Sequence, residues 1–186
     1  MRAVRCNEHG LPDTLSIETL PDLHPEAGDM IIDVKAASVN FPDVLIIQNK
    51  YQFKPPLPFT PGAEFAGIVR EVGAGVQRFR PGMRVAAYTT QGAFAEQARA
   101  SEAACIPLPD DVDFADAAAF TLAYGTSYHA LVDRGQLKAG DTLLVLGAAG
   151  GVGLAAIQDR QDRRRAGDRG GVEPGEDRVL QAARRG

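Results

Sequence analysis

Up to about residue 108 the chain alternates short apolar stretches with glycine and proline turns. "MRAVRCN" and "LSIETLP" predict strands, and "GDMIIDVKAASVN" predicts a longer one rich in β-branched and small residues. "FPDVLIIQNKY" predicts a short helix with Pro42 near its start, where a missing N–H costs little. Gly62 and Gly67 bracket the start of a buried strand, and "EVGAGVQRFRPGMRV" reads as two strands joined by turns. "GAFAEQARAS" and "AACIPLP" add further strands. Strands at this spacing point to a small β-barrel or sandwich.

Near residue 110 the period changes. "DDVDFADAAAFTLAYGTSYHALVDRG" is alanine-rich and helical, with Asp113 as N-cap and Gly135 as its stop. "AGDTLLVLGAAGGVGLAAIQ" then predicts a turn, an apolar strand over Leu143 to Gly147, a glycine turn and an apolar helix start. A continuous apolar strand feeding a helix is the pattern of a buried parallel strand. The fold class expected is therefore mixed α/β.

Composition narrows the function classes. The 186 residues are 45% hydrophobic and carry a net charge of -4. This balance argues against a general nucleic-acid or membrane-surface binder. No apolar run approaches the ~18 residues of a membrane span, and "MRAVRCNEHG" lacks the apolar core of a signal peptide. A cytoplasmic location is expected. Two cysteines, Cys6 and Cys105, are too few for a disulfide framework or a Cys-rich zinc site. The three histidines are scattered without ligand spacing.

The glycine turn carries candidate chemistry. A dinucleotide diphosphate is held by backbone N–H groups at a helix N-terminus, with no Cβ in the way. Gly147, Gly150 and Gly153 stand three apart, with Gly151 between them. This departs from the usual G-x-G-x-x-G. A second strand ending in a ribose-reading residue about 20 positions on, the usual confirmation, is missing from the text. An ordinary glycine-rich turn remains the bland alternative.

Several stretches together carry a resemblance: "AASVNFPDVLIIQNKY", "PFTPGAEFAGIVREVGAGVQRFRPGMRV", "GAFAEQA", "AYGTSYHAL" and "AGDTLLVLGAAGGVGLAAIQ". In order and spacing they resemble the medium-chain dehydrogenase/reductase superfamily, in its zinc-independent quinone oxidoreductase branch, over residues 1 to 158. The resemblance implies a GroES-like β-barrel catalytic domain (residues 1–120, without its C-terminal return). It implies the start of an incomplete Rossmann, doubly wound dinucleotide-binding domain at 121–158, with the nicotinamide in the cleft between the two. It further implies NADPH as cofactor and a quinone or α,β-unsaturated carbonyl (enone) as substrate. No nucleic-acid or membrane partner is implied, and full-length relatives are expected to be homodimers. By the same resemblance Asn40 lies by the nicotinamide, and Asp43 and Tyr51 line the substrate side, with Tyr51 the first candidate for proton delivery. Thr126 contacts the nicotinamide end, and Ala149, Gly150, Gly151, Val152 and Gly153 cover the diphosphate. The bland readings are a turn cap for Asn40, a helix cap for Asp43, packing for Tyr51 and an ordinary helix position for Thr126. Zinc-using relatives place a Cys near Asn40 and a His before the next glutamate. Here Asn40 and Ala63 stand instead, and Glu64 alone cannot hold zinc. Without such a Lewis acid, reduction of an electron-poor acceptor is the chemistry that remains.

After Gln158 the pattern breaks. Residues 159–186 hold eight of the chain's sixteen arginines, and their only large apolar residues are Val172, Val179 and Leu180. Three readings stand open for this segment. It is a solvated arginine tail that binds RNA, although six acids leave it only weakly basic; or it is disordered; or it is read in a shifted frame, since loss of one nucleotide at codon 159 can restore an apolar strand and a helix start. With the Rossmann sheet and the catalytic domain's return absent, the chain as written is expected to be nearly inactive. Its competing functional reading is a non-catalytic fragment or binding protein that pairs through an exposed strand edge.

Overall fold

The computed structural model describes residues 1–138 and 140–165. The chain divides into two compact units, one over Met1–Thr121 and a second from Leu122 onward.

The first unit is built on antiparallel strands. Strands β1 (Arg2–Arg5) and β2 (Ser16–Thr19) pair as a two-stranded sheet. Strands β3 (Asp29–Ser38), β4 (Glu64–Val72), β5 (Arg84–Tyr88), β6 (Gln97–Ser101) and β7 (Cys105–Pro107) form a five-stranded sheet in the order β6-β3-β4-β5-β7. Two register shifts interrupt the β3–β4 ladder, between Ile31 and Ile32 and between Val34 and Ala36. Such bulges increase local twist and curl a sheet. Residues 94–96 tie the two sheets together. The Val4 N–H donates to the Phe94 carbonyl at 2.8 Å, Glu96 N–H to Arg2 at 3.0 Å, and Val34 N–H to Glu96 at 3.0 Å. The strands expected from the alternating text are all present.

Side-chain alternation along β4 and β5 explains the packing. Phe65, Val69, Val85 and Ala87 enter the main core with Met30, Ile32 and Phe79. Their neighbours Ala66 and Ala86 face the other way, against Ala117 and Ala118 of α2 (Phe114–Ala118). Small residues on that face let a helix lie close to the sheet. Helix α1 (Phe41–Ile47) connects β3 to β4 and buries Ile46 and Ile47 against Cys6 and Phe59.

The expected N-cap at Asp113 is present, its carboxylate accepting from the Ala115 N–H at 2.7 Å. The single helix expected from there to Gly135 is instead three pieces. These are α2, α3 (Thr121–Tyr128) and a π-helical turn over His129–Arg134 that Gly135 ends. Ala119, at φ -104 and ψ 4, leaves helical geometry and separates the first two.

The second unit departs further from expectation. The buried strand expected over Leu143 to Gly147 is not a strand; Leu144 and Leu146 are 76% and 84% exposed. Extended backbone becomes a strand only with a neighbour to take its hydrogen bonds, and no strand lies beside it among the described residues. Regular structure was expected to end at Gln158, yet helix α4 runs over Gly151–Arg165. Arg160 is buried with its guanidinium donating to the Asp141 carbonyl at 3.0 Å. A partnered charge avoids the penalty of an unpaired one. The readings offered for 166–186, disorder included, lie outside the described residues.

Candidate functional site

Two sets of groups, one in each unit, carry the candidate chemistry. In the first unit the ends of three strands meet. Ser38 of β3 pairs with Glu64 of β4, and Glu64 pairs with Tyr88 of β5. Glu64 is fully buried and accepts the Ser38 hydroxyl on Oε2 at 2.7 Å. The Asn40 amide Nδ2 donates to Ser38 Oγ at 2.9 Å and to Glu64 Oε2 at 3.2 Å.

Asn40 is also the residue from which α1 starts. Its backbone N–H donates to Asp43 Oδ2 at 2.8 Å, and the Asp43 N–H returns to the Asn40 carbonyl at 3.0 Å. A side chain three residues into a helix that reaches back in this way satisfies an otherwise orphaned donor. Asp43 is buried, and burial pushes its carboxyl above the ordinary value of 3.8. The N–H groups of Asn40 and Gly62 oppose that rise, and Glu64 adds to it. Burial likewise raises the Tyr88 hydroxyl, with Tyr51, Asp43 and Glu64 nearby acting in the same direction. Tyr51 itself is half-buried against the cluster of Cys6, Ile46, Ile47 and Phe59. Asn40, Asp43 and Tyr51 are thus brought to one region, with Ser38, Glu64 and Tyr88 beside them. The sequence reading singled out Glu64 only as a lone carboxylate and passed over Ser38 and Tyr88. A glutamate inside the apolar run "GAEFAGIV" was the available signal; the register that aligns it with Ser38 and Tyr88 is not written in any local motif.

In the second unit the glycine turn leads into α4. Gly147 has φ +67, a region that glycine adopts without strain. A Cβ on Gly153 would sit 2.4 Å from the Gly147 carbonyl oxygen, so the helix approaches the turn as closely as glycine permits. The buried Ser127 hydroxyl donates to the Val152 carbonyl at 2.7 Å, and Tyr124 donates to the Gln158 side chain. These contacts pin α3 against α4. A hollow of about 380 Å³ lies over the turn, lined by Gly147, Gly150, Gly151, Val152 and Gly153 with Ser127 and Leu131 among its walls. First-turn N–H groups have no partner within their own helix, and at α4 they belong to Gly151, Val152 and Gly153. The backbone, free of Cβ atoms where it must come close, fits a diphosphate. Ala149 lies in the turn itself, whereas Thr126 is exposed and does not line the hollow; its neighbour Ser127 does.

Among the described residues no three His, Cys, Asp or Glu side chains gather as a metal-holding group, and no helix is long and apolar enough to cross a membrane.

Residues 26–110 match the alcohol dehydrogenase GroES-like domain. A quinone oxidoreductase of Lama guanicoe is 41% identical over 160 residues, covering 85% of this chain and 48% of the relative. The quinone oxidoreductase of Homo sapiens is 40% identical, covering 85% and 49%. Among solved structures, human synaptic vesicle membrane protein VAT-1 homolog-like protein superposes with a TM-score of 0.85 at 34% identity, over 87% of this chain and 52% of that one. Escherichia coli quinone oxidoreductase complexed with NADPH gives 0.81 at 31% identity, over 87% and 50%. The chain spans about half the length of the curated relatives it matches. Over the 85% of its length that these relatives cover, the chain is similar to the quinone oxidoreductase branch of the medium-chain dehydrogenase/reductase superfamily, with the match to the GroES-like domain over residues 26–110.

Proposed function

We propose that the chain carries two half-sites of an oxidoreductase that moves hydride from NADPH to a quinone or an α,β-unsaturated carbonyl without zinc. The observation that carries this reading is the turn at α4, where a Cβ at Gly153 would collide with the Gly147 carbonyl beneath a hollow lined by glycine backbone. NADPH, when bound, supplies the hydride. The backbone of residues 149–153 holds the diphosphate, and the helix N-terminus favours its negative charge. In the first unit Asn40 and Asp43 orient the reacting groups, and Tyr51 delivers the proton that follows the hydride. Thr126 serves the nicotinamide end. Residues 1–120 act as the catalytic domain and 121–158 begin the dinucleotide-binding one. Asn40 and Ala63, where zinc-using relatives have ligands, support the zinc-free assignment. A cytoplasmic location and a homodimer of the full-length form complete the reading.

The 186-residue chain itself is expected to bind NADPH weakly and to turn over slowly, because Leu144 and Leu146 lie exposed beside the turn. The same exposure favours the second reading, a non-catalytic binding protein. Fluorescence titration with NADPH, on this chain and on one extended to the length of its relatives, tests the proposal. Weak binding by the first and firm binding by the second, with NADPH consumed when a simple quinone is added, is the expected result. An extended chain with no affinity for NADPH overturns it.

A further inference from the structure

We propose that Ser127 is a positioning residue for the diphosphate of the proposed function, on which this role rests. Its hydroxyl polarises the Val152–Gly153 peptide from behind and so strengthens the Gly153 N–H as a donor to the anion.

Ser127 of α3 is 1% exposed, and its Oγ lies 2.7 Å from the Val152 carbonyl oxygen, an ordinary hydroxyl–carbonyl distance. A carbonyl oxygen can only accept, so the hydroxyl is the donor and its one proton is spent there. The amide joined to that carbonyl is the N–H of Gly153. In a trans peptide the C=O and N–H point in opposite directions, and in an α-helix the N–H points toward the N-terminus. Ser127 therefore holds one end of this peptide while the other end faces the glycine turn.

The place of the peptide within α4 gives the contact its meaning. The Leu154 N–H closes onto the Gly150 carbonyl at 2.8 Å. The donors ahead of it, on Gly151, Val152 and Gly153, come before the helical ladder, and all three residues line the hollow over the turn. A hydrogen bond accepted at one end of a peptide makes the other end a better donor, by roughly 10–30% per bond. The Gly150–Gly151 peptide receives such a bond from Leu154, within the backbone. The Val152–Gly153 peptide receives one from a buried side chain as well. With its own proton committed, Ser127 acts on the anion through the backbone and not by contact. Tyr124 also joins α3 to α4, but it donates to the Gln158 side chain and so feeds no first-turn donor.

The test is the amide spectrum of the full 15N-labelled chain, read first without ligand and then against inorganic diphosphate. Ser127→Ala should shift the Gly153 amide resonances to lower frequency while those of Gly151 stay in place. It should also weaken diphosphate binding at residues 151–153 by about three-fold. Ser127→Cys keeps the bulk of the side chain with only a weak donor. It should behave as Ser127→Ala does, whereas a role in filling space would make it behave as serine; it decides the matter if Ser127→Ala does not fold. Tyr124→Phe removes the other bond between the helices and should leave both readouts unchanged. A Gly153 amide that ignores the Ser127 substitutions, an unchanged diphosphate affinity, or a Tyr124→Phe effect equal to that at Ser127 overturns the proposal. Diphosphate that leaves residues 151–153 of the unaltered chain unperturbed overturns the functional reading and the anion role with it. A Gly153 shift without loss of affinity overturns the role of Ser127 alone, so the two failures are told apart.

Discussion

The two units differ in how much of their hydrogen bonding and apolar burial they complete within the described residues. In Met1–Thr121 every strand has an antiparallel neighbour, and Met30, Ile31, Ile32, Phe65 and Val85 are fully buried. From Leu122 onward the buried side chains are small or polar: Ser127, Ala155, Ala156 and Arg160. Leu122, Leu131 and Leu143 there are only half-buried, and Leu144 and Leu146 face solvent. Antiparallel strands can be joined by short turns and find partners close in sequence. A parallel strand needs a crossover and a partner well removed along the chain. The first kind of structure is complete over a short text, and the second is not.

The sharpest way to break this comparison is to cut into each unit in turn. Phe65→Ala should destabilise the first unit by about 3–5 kcal/mol, read as a lower urea midpoint. Leu144→Ala and Leu146→Ala should each change stability by less than about 0.5 kcal/mol. Leucine variants as costly as the phenylalanine one would show that residues 143–147 are buried after all, and the contrast would vanish.

A smaller effect sharpens the reading of the second unit. Gly153→Ala places a Cβ 2.4 Å from the Gly147 carbonyl oxygen, whereas Gly151→Ala meets nothing within 4 Å. The first should cost about 1–3 kcal/mol through overpacking and lower NADPH affinity by roughly ten-fold or more, the equivalent of about 1.4 kcal/mol. The second should leave the helix intact. Equal tolerance of both, by circular dichroism and cofactor titration, would remove the close approach as the basis of the site.

The smallest effect concerns pH and belongs to the first unit. Burial raises Asp43 above its ordinary 3.8, so the folded state holds this proton more tightly than the unfolded chain does. Stability from Asp43 is present below 3.8 and declines as pH rises through the raised value. Asp43→Asn should remove that decline from a plot of urea midpoint against pH. A slope in this interval unchanged by the substitution would show that another group carries it.

The strands of the first unit were readable as short apolar or β-branched stretches set between turn residues; "EVGAGVQRFRPGMRV" marks the end of β4, the start of β5 and the turn between them. Asn40, Asp43, Tyr51 and the glycine turn were named from resemblance to a family and from turn chemistry. Ser38, Glu64 and Tyr88 were not legible as a group. They stand 26 and 24 positions apart, and only the pairing of β3 with β4 and β4 with β5 sets them in one row. The break at Ala119 and the continuation of α4 through Asp159 to Arg165 also escaped a pattern that follows apolar faces alone. Arg160 shows why, since its burial depends on a carbonyl at Asp141 that no periodicity announces.

From the sequence alone came the mixed α/β class, the strand and turn order of the first unit, the Asp113 cap and the glycine-marked helix start. These are local properties, set by side-chain period, cap chemistry and backbone freedom over a few residues. The tertiary structure decided which strand ends meet, that Ser38, Asn40 and Glu64 share one hydrogen-bonded cluster, and that Leu143 to Gly147 is not a strand. Those outcomes depend on partners distant in sequence, because a hydrogen bond or a buried face exists only where both sides are present.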